Sequence, residues 1–291
     1  MKQCDVIIVN FNTGEILKDA VASALQSPAV AHVYVVDNAS ADSSLDLLPQ
    51  DQSERLTVIR NQANLGYAAA CNIGLAKARS DYVLFLNPDA QAAAGAIERL
   101  IAALTSTDSV GMVGPLLLNP DGSEQAGGRR KFPLPRTALA HALGTTWLGR
   151  RLPGFARPPH QHPLPDHPIE VEAISGACMM VRRAAVTAVG PLDEQYFLHC
   201  EDLDWCMRFH RQGWTILFVP DAKVAHRKGV SSKNQPLLIE YYKHKGMVRF
   251  YRKFLSESYP DWQLLLLTAG IWVRFACVAT SHMLRRVTGR I

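Results

Sequence analysis

The segment from Gly190 to Arg208 holds Glu201, Asp202 and Asp204, three carboxylates within four residues. They follow the aromatic-bearing run Tyr196-Phe197-Leu198-His199-Cys200, at a point where helical spacing begins. Carboxylates repel one another and resist leaving water, so a cluster entered from an apolar run reads as a site more than as ordinary surface. Two other short segments extend its chemistry. Asn87-Pro88-Asp89 offers an amide and a carboxylate two residues apart, stiffened by proline, after the apolar run Tyr82-Val83-Leu84-Phe85-Leu86. His226 closes another strand-like run, Lys223-Val224-Ala225. Such oxygen and imidazole donors can hold a divalent cation, and a nearby carboxylate can take a proton from a hydroxyl. Asp202 is the candidate base, with Glu201 beside it. Repulsion from Glu201 would raise its proton affinity and a helix N-terminus would lower it, and spacing alone leaves that balance open. Each feature also has a plain explanation, a solvated helix start or a structural histidine. Their combination is what favours a site.

The elements that must position these residues alternate regularly. Asp5-Val6-Ile7-Ile8-Val9-Asn10 is a buried-type strand, and Glu15 to Gln26 has helical spacing. Val33 to Asp37 is a second strand, Ser43 to Leu48 a short helix and Leu56 to Arg60 a third strand. Tyr67 to Arg79 is a helix and Tyr82 to Leu86 a fourth strand. This alternation predicts an α/β fold built on a doubly wound, mostly parallel sheet. In such sheets ligands bind beyond the carboxyl ends of the strands. Asn10 and Asn12, Asp37 and Asn38, Asn61 and Asn64, and Asn87 and Asp89 fall at those four ends. Any one of them could be a turn residue; together they favour a nucleotide-sized ligand.

The second half begins near Val110, with a strand over Gly111–Leu118 and the turn Asn119-Pro120-Asp121-Gly122. Residues 129–168, with eight prolines, read as an irregular surface excursion, and His141, His160, His162 and His167 lack ligand spacing. Ser175-Gly176-Ala177 leads into another strand, and 216–219 and 223–226 are two short strand candidates. The expected layout is thus a nucleotide-sugar-binding half over 1–110, an acceptor-binding and catalytic half of the same domain over 111–240, and a tail over 241–291.

The chain has 291 residues, a formal net charge of +5 and 48% hydrophobic residues, bulk values of an ordinary folded α/β protein rather than a disordered one. Its six cysteines show no CxxC spacing, which fits reduced thiols and a cytoplasmic location. The start carries no long apolar stretch with a cleavage site, so no signal peptide is expected. The charge is uneven: after His226 the only carboxylates are Glu240, Glu257 and Asp261. His244 to Phe254 is basic and aromatic, and Leu264 to Leu284 is apolar but for Arg274 and His282. A central arginine is expensive in hydrocarbon, so an interfacial or core-packed helix is expected rather than a span, with Arg285, Arg286 and Arg290 suited to anionic headgroups. No nucleic-acid motif accompanies the basic tail, and no nucleic acid is expected as partner.

Over residues 4 to 255 the chain resembles the family 2 glycosyltransferases, in particular their rhamnosyltransferase-like branch with a GT-A fold. The resemblance rests, in order, on Val9-Asn10-Phe11-Asn12, Val36-Asp37-Asn38-Ala39-Ser40, Asn64-Leu65-Gly66-Tyr67-Ala68 with Asn72, Leu86-Asn87-Pro88-Asp89, Gly176-Ala177-Cys178-Met179, Glu201-Asp202-Leu203-Asp204 and His226. It implies that Val9, Asn10, Asn12 and Asp37 line the nucleotide and that Asn64, Gly66, Asn72, Asn87 and Gly176 surround the donor. It implies further that Asp89 and His226 hold Mg2+ or Mn2+, and that Asp202, with Glu201 beside it, is the base of an inverting transfer. The donor implied is dTDP-L-rhamnose, or a UDP-sugar as used by relatives with the same motifs. The acceptor implied is a glycan or polyprenyl-diphosphate-linked molecule at the inner face of the cytoplasmic membrane, and a homodimer is compatible with the sequence. The first position of the family's DxD motif is Asn87 here, which lowers the charge at the metal. A sugar nucleotidyltransferase would want a basic Gly-rich loop where Asn10-Phe11-Asn12-Thr13-Gly14 has no cation. A non-catalytic sugar-binding scaffold would have no need of Asp89, Asp202 and His226.

Overall fold

The computed structural model describes residues 2–49, 54–133, 162–227, 229 and 235–287, the side chains of 285–287 excepted. Most of the expected Pro-rich excursion, with His141 and His160, lies outside the described residues, as do Arg290 and the side chains of Arg285 and Arg286. Eleven strands and seven helices are present among the described residues. Strands β1 (Cys4–Asn10), β2 (Val30–Asp37), β3 (Leu56–Arg60) and β4 (Tyr82–Leu86) carry the apolar runs. They are followed by β5 (Ala90–Ala92), β6 (Val110–Leu118), β7 (Arg129–Arg130), β8 (Ile169–Glu170), β9 (Ala173–Ile174), β10 (Cys178–Arg182) and β11 (Thr215–His226). The helices are α1 (Ile16–Leu25), α2 (Tyr67–Lys77), α3 (Ala96–Leu104), α4 (Arg183–Val189), α5 (Glu201–Arg211), α6 (Pro236–Leu255) and α7 (Asp261–Val287).

The main sheet runs in the order β3-β2-β1-β4-β10-β6-β11-β5, with β8 added on β11. Strands β1 to β4 pair in parallel. Strand β10 is antiparallel to both of its neighbours, β4 and β6, so β6 and its parallel partner β11 point the same way as β1 to β4. One edge of the sheet therefore collects the carboxyl ends of six strands and the start of β10. Asn10, Asp37, Asn61, Asn87, Asn119, His226 and Gly176 all arrive there for that reason. At the far end of this edge the short β5 lies antiparallel on β11, with Ala90 opposite His226. The central strands are buried on both faces, as continuous apolar runs require. Trp205 and Phe209 of α5 are fully buried, edge-on to each other and, for Trp205, to Phe85.

Several expected elements differ. Residues 43–48 form turns rather than a helix: the Ser44 amide and hydroxyl both bond the Asp42 carboxylate, local competition that draws the backbone away from helical pairing. The two short strands expected over 216–226 are one strand, β11, whose register slips between Val219 and Lys223, around Pro220. Helix α3 was not expected, because its small-residue lead-in Ala93-Ala94-Gly95 masks a face that buries Ile97, Leu100, Ile101 and Leu104.

The described chain forms two units. The larger comprises the sheets and α1 to α5; the smaller comprises α6, α7, Phe132 and Leu198–Cys200. Within the smaller unit α6 and α7 make an antiparallel hairpin, with Tyr241 against Trp272 and Phe275, and His244 against Phe275.

Helix α2 begins at Gly66, whose φ is +86°, and a Cβ there would sit 2.6 Å from the Phe197 carbonyl oxygen. Gly14 also has positive φ, at +62°, but faces open space. Gly66→Ala is expected to lower unfolding free energy by about 3 kcal/mol, from strain and overlap together. Gly14→Ala should cost only about 1 kcal/mol. Denaturant midpoints of the two variants check this, and equal losses would contradict the close approach at Gly66.

Candidate active site

The pairing of β5 with β11 sets the first half of the site. Asp89 directly precedes β5 and His226 ends β11, and the Arg227 N–H donates to the Asp89 carbonyl at 2.9 Å. This brings His226 Nε2 to 3.1 Å from Asp89 Oδ1, with both residues buried. The imidazole is oriented by Gln125. The Gln125 amide donates to Asn119 Oδ1 at 3.0 Å and to the His226 carbonyl at 3.1 Å, which turns its oxygen toward His226 Nδ1 at 2.6 Å. Nδ1 therefore carries a proton, and in the neutral form of the ring Nε2 would turn its lone pair toward the Asp89 carboxylate. A lone pair and a carboxylate oxygen at that distance repel unless positive charge lies with them. A proton meets that need, and so does a cation ligated by both atoms. The donor types fit a divalent ion, and Gln125 is the kind of outer partner that fixes a ligating histidine's tautomer. Among the described residues no group of three or more His, Cys, Asp or Glu side chains could hold a metal.

The acidic cluster forms the second half. Glu201, Asp202 and Asp204 are all buried at the start of α5. Asp202 Oδ2 accepts from Arg130 Nη2 at 2.6 Å and from the Gly176 N–H at 2.9 Å, while Oδ1 accepts from the Leu203 N–H at 2.8 Å. Burial alone would raise its proton affinity, but the Arg130 charge and these donors outweigh it and hold the carboxyl below its ordinary range. Glu201 moves the other way. Burial, then repulsion from Asp202, push its carboxyl up to about 8, and its Oε2 has no hydrogen-bond partner among the described residues. Asp204 pairs with Arg208 at 2.7 Å, one turn along the helix. Arg208 also bonds the carbonyls of Val189 and Pro191, so this pair anchors the preceding loop.

Backbone contacts join the two halves. The Asn87 N–H donates to the Ala177 carbonyl at 2.8 Å, next to the Gly176 N–H that holds Asp202. The Gly176 carbonyl accepts from the Tyr67 hydroxyl at 3.1 Å, tying in the start of α2. The Asn87 side chain is half-buried and makes no hydrogen bond among the described residues.

The remaining strand-end residues divide into open and engaged. Val9 is buried in β1. Asn10, fully buried, gives its amide to Asp37 Oδ1 (2.8 Å), Ser40 (3.1 Å) and Ser44 (2.8 Å), and its oxygen accepts from the Thr13 hydroxyl. Asp37 also accepts from the Ser40 hydroxyl and amide. Asn10 and Asp37 thus brace each other. Asn12 is exposed, with φ +52°, its oxygen taken by the Ala41 N–H and its amide group turned outward. Asn64 accepts from the Gly66 N–H at 3.0 Å and shapes the loop into α2. Asn72, expected around the donor, instead clamps the loop before α5. Its amide donates to the Leu192 carbonyl and to Glu194, and its oxygen accepts from the Leu192 N–H. With Leu192 and Glu194 taking one amide hydrogen each, Asn72 has no free donor left. Arg130 and Gln125 were not expected. Both lie in stretches without periodicity, and only the irregular placement of Arg129-Arg130 before the Pro-rich region offered a signal.

Residues 5–190 match the family model of glycosyl transferase family 2, and residues 163–288 match that of glycosyl transferase family group 2. The chain is 31% identical over 272 residues to the N-acetylglucosaminyl-diphospho-decaprenol L-rhamnosyltransferase of Mycobacterium tuberculosis, covering 88% of this chain and 85% of that one. It is 27% identical to the low-salt glycan biosynthesis hexosyltransferase Agl10 of Haloferax volcanii, over 72% of this chain and 62% of that one. Among solved structures, the mannosyltransferase PcManGT from Pyrobaculum calidifontis with GDP-Man and Mn2+ superposes with a TM-score of 0.60 at 15% identity, over 97% of this chain and 80% of that one. GalNAc-T7 with UDP, GalNAc and Mn2+ superposes with a TM-score of 0.62 at 20% identity, this chain spanning 49% of that one.

The opposite shifts of Glu201 and Asp202 give a stability test. A carboxyl with a raised folded pKa contributes stability that is full below its unfolded value, about 4.3, and is lost as pH rises to its folded value, here about 8. The lowered Asp202 acts only below its own unfolded value, so the two windows separate. Thermal stability should fall between pH 5 and 8, a window set by these values, and Glu201→Gln should remove most of that fall. An unchanged slope in Glu201→Gln would show that Glu201 is ionised in the folded protein.

Proposed function

The chain belongs to glycosyl transferase family 2 and has the GT-A fold, and on that premise we propose that it is a metal-dependent, inverting rhamnosyltransferase. In this reading it moves L-rhamnose from dTDP-L-rhamnose to a hydroxyl of a polyprenyl-diphosphate-linked acceptor during cell-envelope glycan synthesis. The observation that carries the donor and acceptor is the near-full-length similarity to the mycobacterial enzyme, whose name states both the rhamnosyl group and a decaprenol diphosphate. Such an acceptor favours work in the cytoplasm at the inner face of the membrane.

The residues then take the following roles. Asp202, ionised near neutral pH, accepts the proton of the acceptor hydroxyl as that oxygen attacks the anomeric carbon from the face opposite the diphosphate. A carboxylate held this low is a weak base, so the proton moves late, once the attacking oxygen has become acidic. Arg130 and the Gly176 N–H hold the Asp202 carboxylate in one orientation. Glu201, kept neutral, adds no second negative charge beside the Asp202 carboxylate. Asp89 and His226 would hold a divalent cation, and Gln125, by engaging Nδ1, directs Nε2 to that task. The bound cation would offset the charge on the departing nucleoside diphosphate. Asn12, Asn64 and Asn87 at the strand ends face the nucleotide and sugar, while Asn10 and Asp37 keep that edge in shape.

Asp202→Asn should leave donor affinity within a few-fold and lower turnover by about 10²–10⁴-fold. Release of nucleoside diphosphate from donor, metal and acceptor measures it, and unimpaired turnover would remove Asp202 as the base. Thermal shifts against nucleotide sugars with Mg2+ or Mn2+ test the donor. Stabilisation by dTDP-rhamnose is expected, and it should lose its metal dependence in Asp89→Ala and in His226→Ala. A response to UDP-hexoses or UDP-N-acetylhexosamines instead would replace the donor while keeping the family.

A further inference from the structure

Helix α7 departs from the rule that a helix hides its apolar stripe. Its segment Asp261–Leu284 is the one described stretch long and apolar enough to cross a membrane, yet only 6% of its most apolar window is buried. Trp262, Leu265, Leu266, Val273, Met283 and Leu284 are exposed at 58–66% each. Leu265 and Leu266 lie three and four residues after Trp262, Val273 seven after Leu266 and Leu284 eleven after Val273, helical repeats that put all six on one outer face. The inner face does the packing: Trp272 and Phe275 lie against Tyr241 and His244 of α6.

The charge inside this apolar stretch is Arg274, and it is tied to α6. His244 Nδ1 donates to the Glu240 carbonyl at 2.6 Å, which leaves Nε2 as the acceptor for Arg274 Nη1 at 3.3 Å. Arg274 therefore serves the hairpin seam rather than the outer face. Helix α6 carries Lys243, Lys245, Arg249, Arg252 and Lys253 alongside.

We propose that the α6–α7 hairpin lies flat on an anionic phospholipid bilayer, with the outer face of α7 sunk to the level of the acyl-chain boundary and the α6 cations near the lipid phosphates. At 1.5 Å per residue α7 is long enough either to cross or to lie flat, so length does not decide. The hairpin decides. Helix α6 is antiparallel to α7 and packed on its middle, so a crossing α7 would carry at least five cations toward hydrocarbon. Lying flat keeps Lys245, Arg249, Arg252 and Lys253, which share one side of α6, at the headgroups, where anionic lipid attracts them. Charge also distinguishes lipid from a second copy of the chain. Glu240, Glu257 and Asp261 are the only carboxylates after His226, so two tails face to face would set basic surface against basic surface. This surface stands apart from the assignment of donor and base.

Of the six cysteines only Cys277 is exposed, and it lies on α7. An environment-sensitive fluorophore on Cys277 of the full chain reads the contact directly. Its emission should shift to the blue with vesicles containing phosphatidylglycerol, much less with pure phosphatidylcholine, and the shift should weaken at about 0.5 M salt. In a Cys277→Ser background, labels at Leu265→Cys and Leu284→Cys should be quenched at the same shallow depth as Cys277. A depth profile deepest at the centre and shallow at both ends would overturn the flat arrangement in favour of a span. No shift with any vesicle would overturn the lipid partner, and a concentration-dependent dimer in the same sample would identify the second copy as what covers the face.

Discussion

Three carboxylates buried at one helix start set the terms for everything around them. An ionised carboxylate taken out of water costs several kcal/mol unless it is compensated, so Glu201, Asp202 and Asp204 cannot all be buried and charged without partners. Each is resolved differently. Asp204 has Arg208, Asp202 has Arg130 and two backbone N–H groups, and Glu201 keeps its proton. The partners recruited this way hold the neighbouring loops. Arg208 fixes the carbonyls before α5 while Asn72 grips Leu192 from α2, so the chain entering the cluster is held from two sides. Arg130 is also bonded to the Ile174 carbonyl, which ties β9 to Asp202.

The sheet delivers those partners because one strand runs against the others. Were β10 parallel to β4, its first residue would start at the opposite edge, and the Gly176 N–H would lie a strand length from Asp202. Antiparallel insertion puts 176–177 beside the ends of β4 and β6 instead, within reach of Asn87 and Asp202. The pairing of β5 with β11 does the same for Asp89 and His226. Both halves of the site thus depend on departures from a purely parallel sheet.

That dependence explains what could be read from sequence. The four early strands, the polar residues at their ends, and the roles open to Asp89, Asp202 and His226 follow from continuous apolar runs and residue type. Arg130 and Gln125 do not, because each meets its partner across about a hundred residues or through a strand too short to show a period. Asn10 and Asp37 show the converse limit. Their type and position mark the polar edge of the sheet, yet spacing cannot tell a side chain that faces a ligand from one already spent on a neighbour. The balance between Glu201 and Asp202 was open for the same reason: the deciding charge, Arg130, comes from another part of the chain.

The substitution at the head of the Asn87-Pro88-Asp89 turn acquires a physical reading in this frame. With Asn87 in place of a carboxylate, the protein would bring one formal negative charge, Asp89, and the His226 imidazole to the proposed cation. A divalent ion there would keep a net positive charge, whereas a second carboxylate would cancel it. The protein's own hold on the ion would be correspondingly weaker, since fewer charged oxygens converge on it. The diphosphate of a donor would supply the missing negative charge and oxygen ligands at once. In the proposed reaction ion and donor would therefore assemble best as a unit, and the half-buried Asn87 amide could donate a hydrogen bond where a carboxylate would repel the same phosphate.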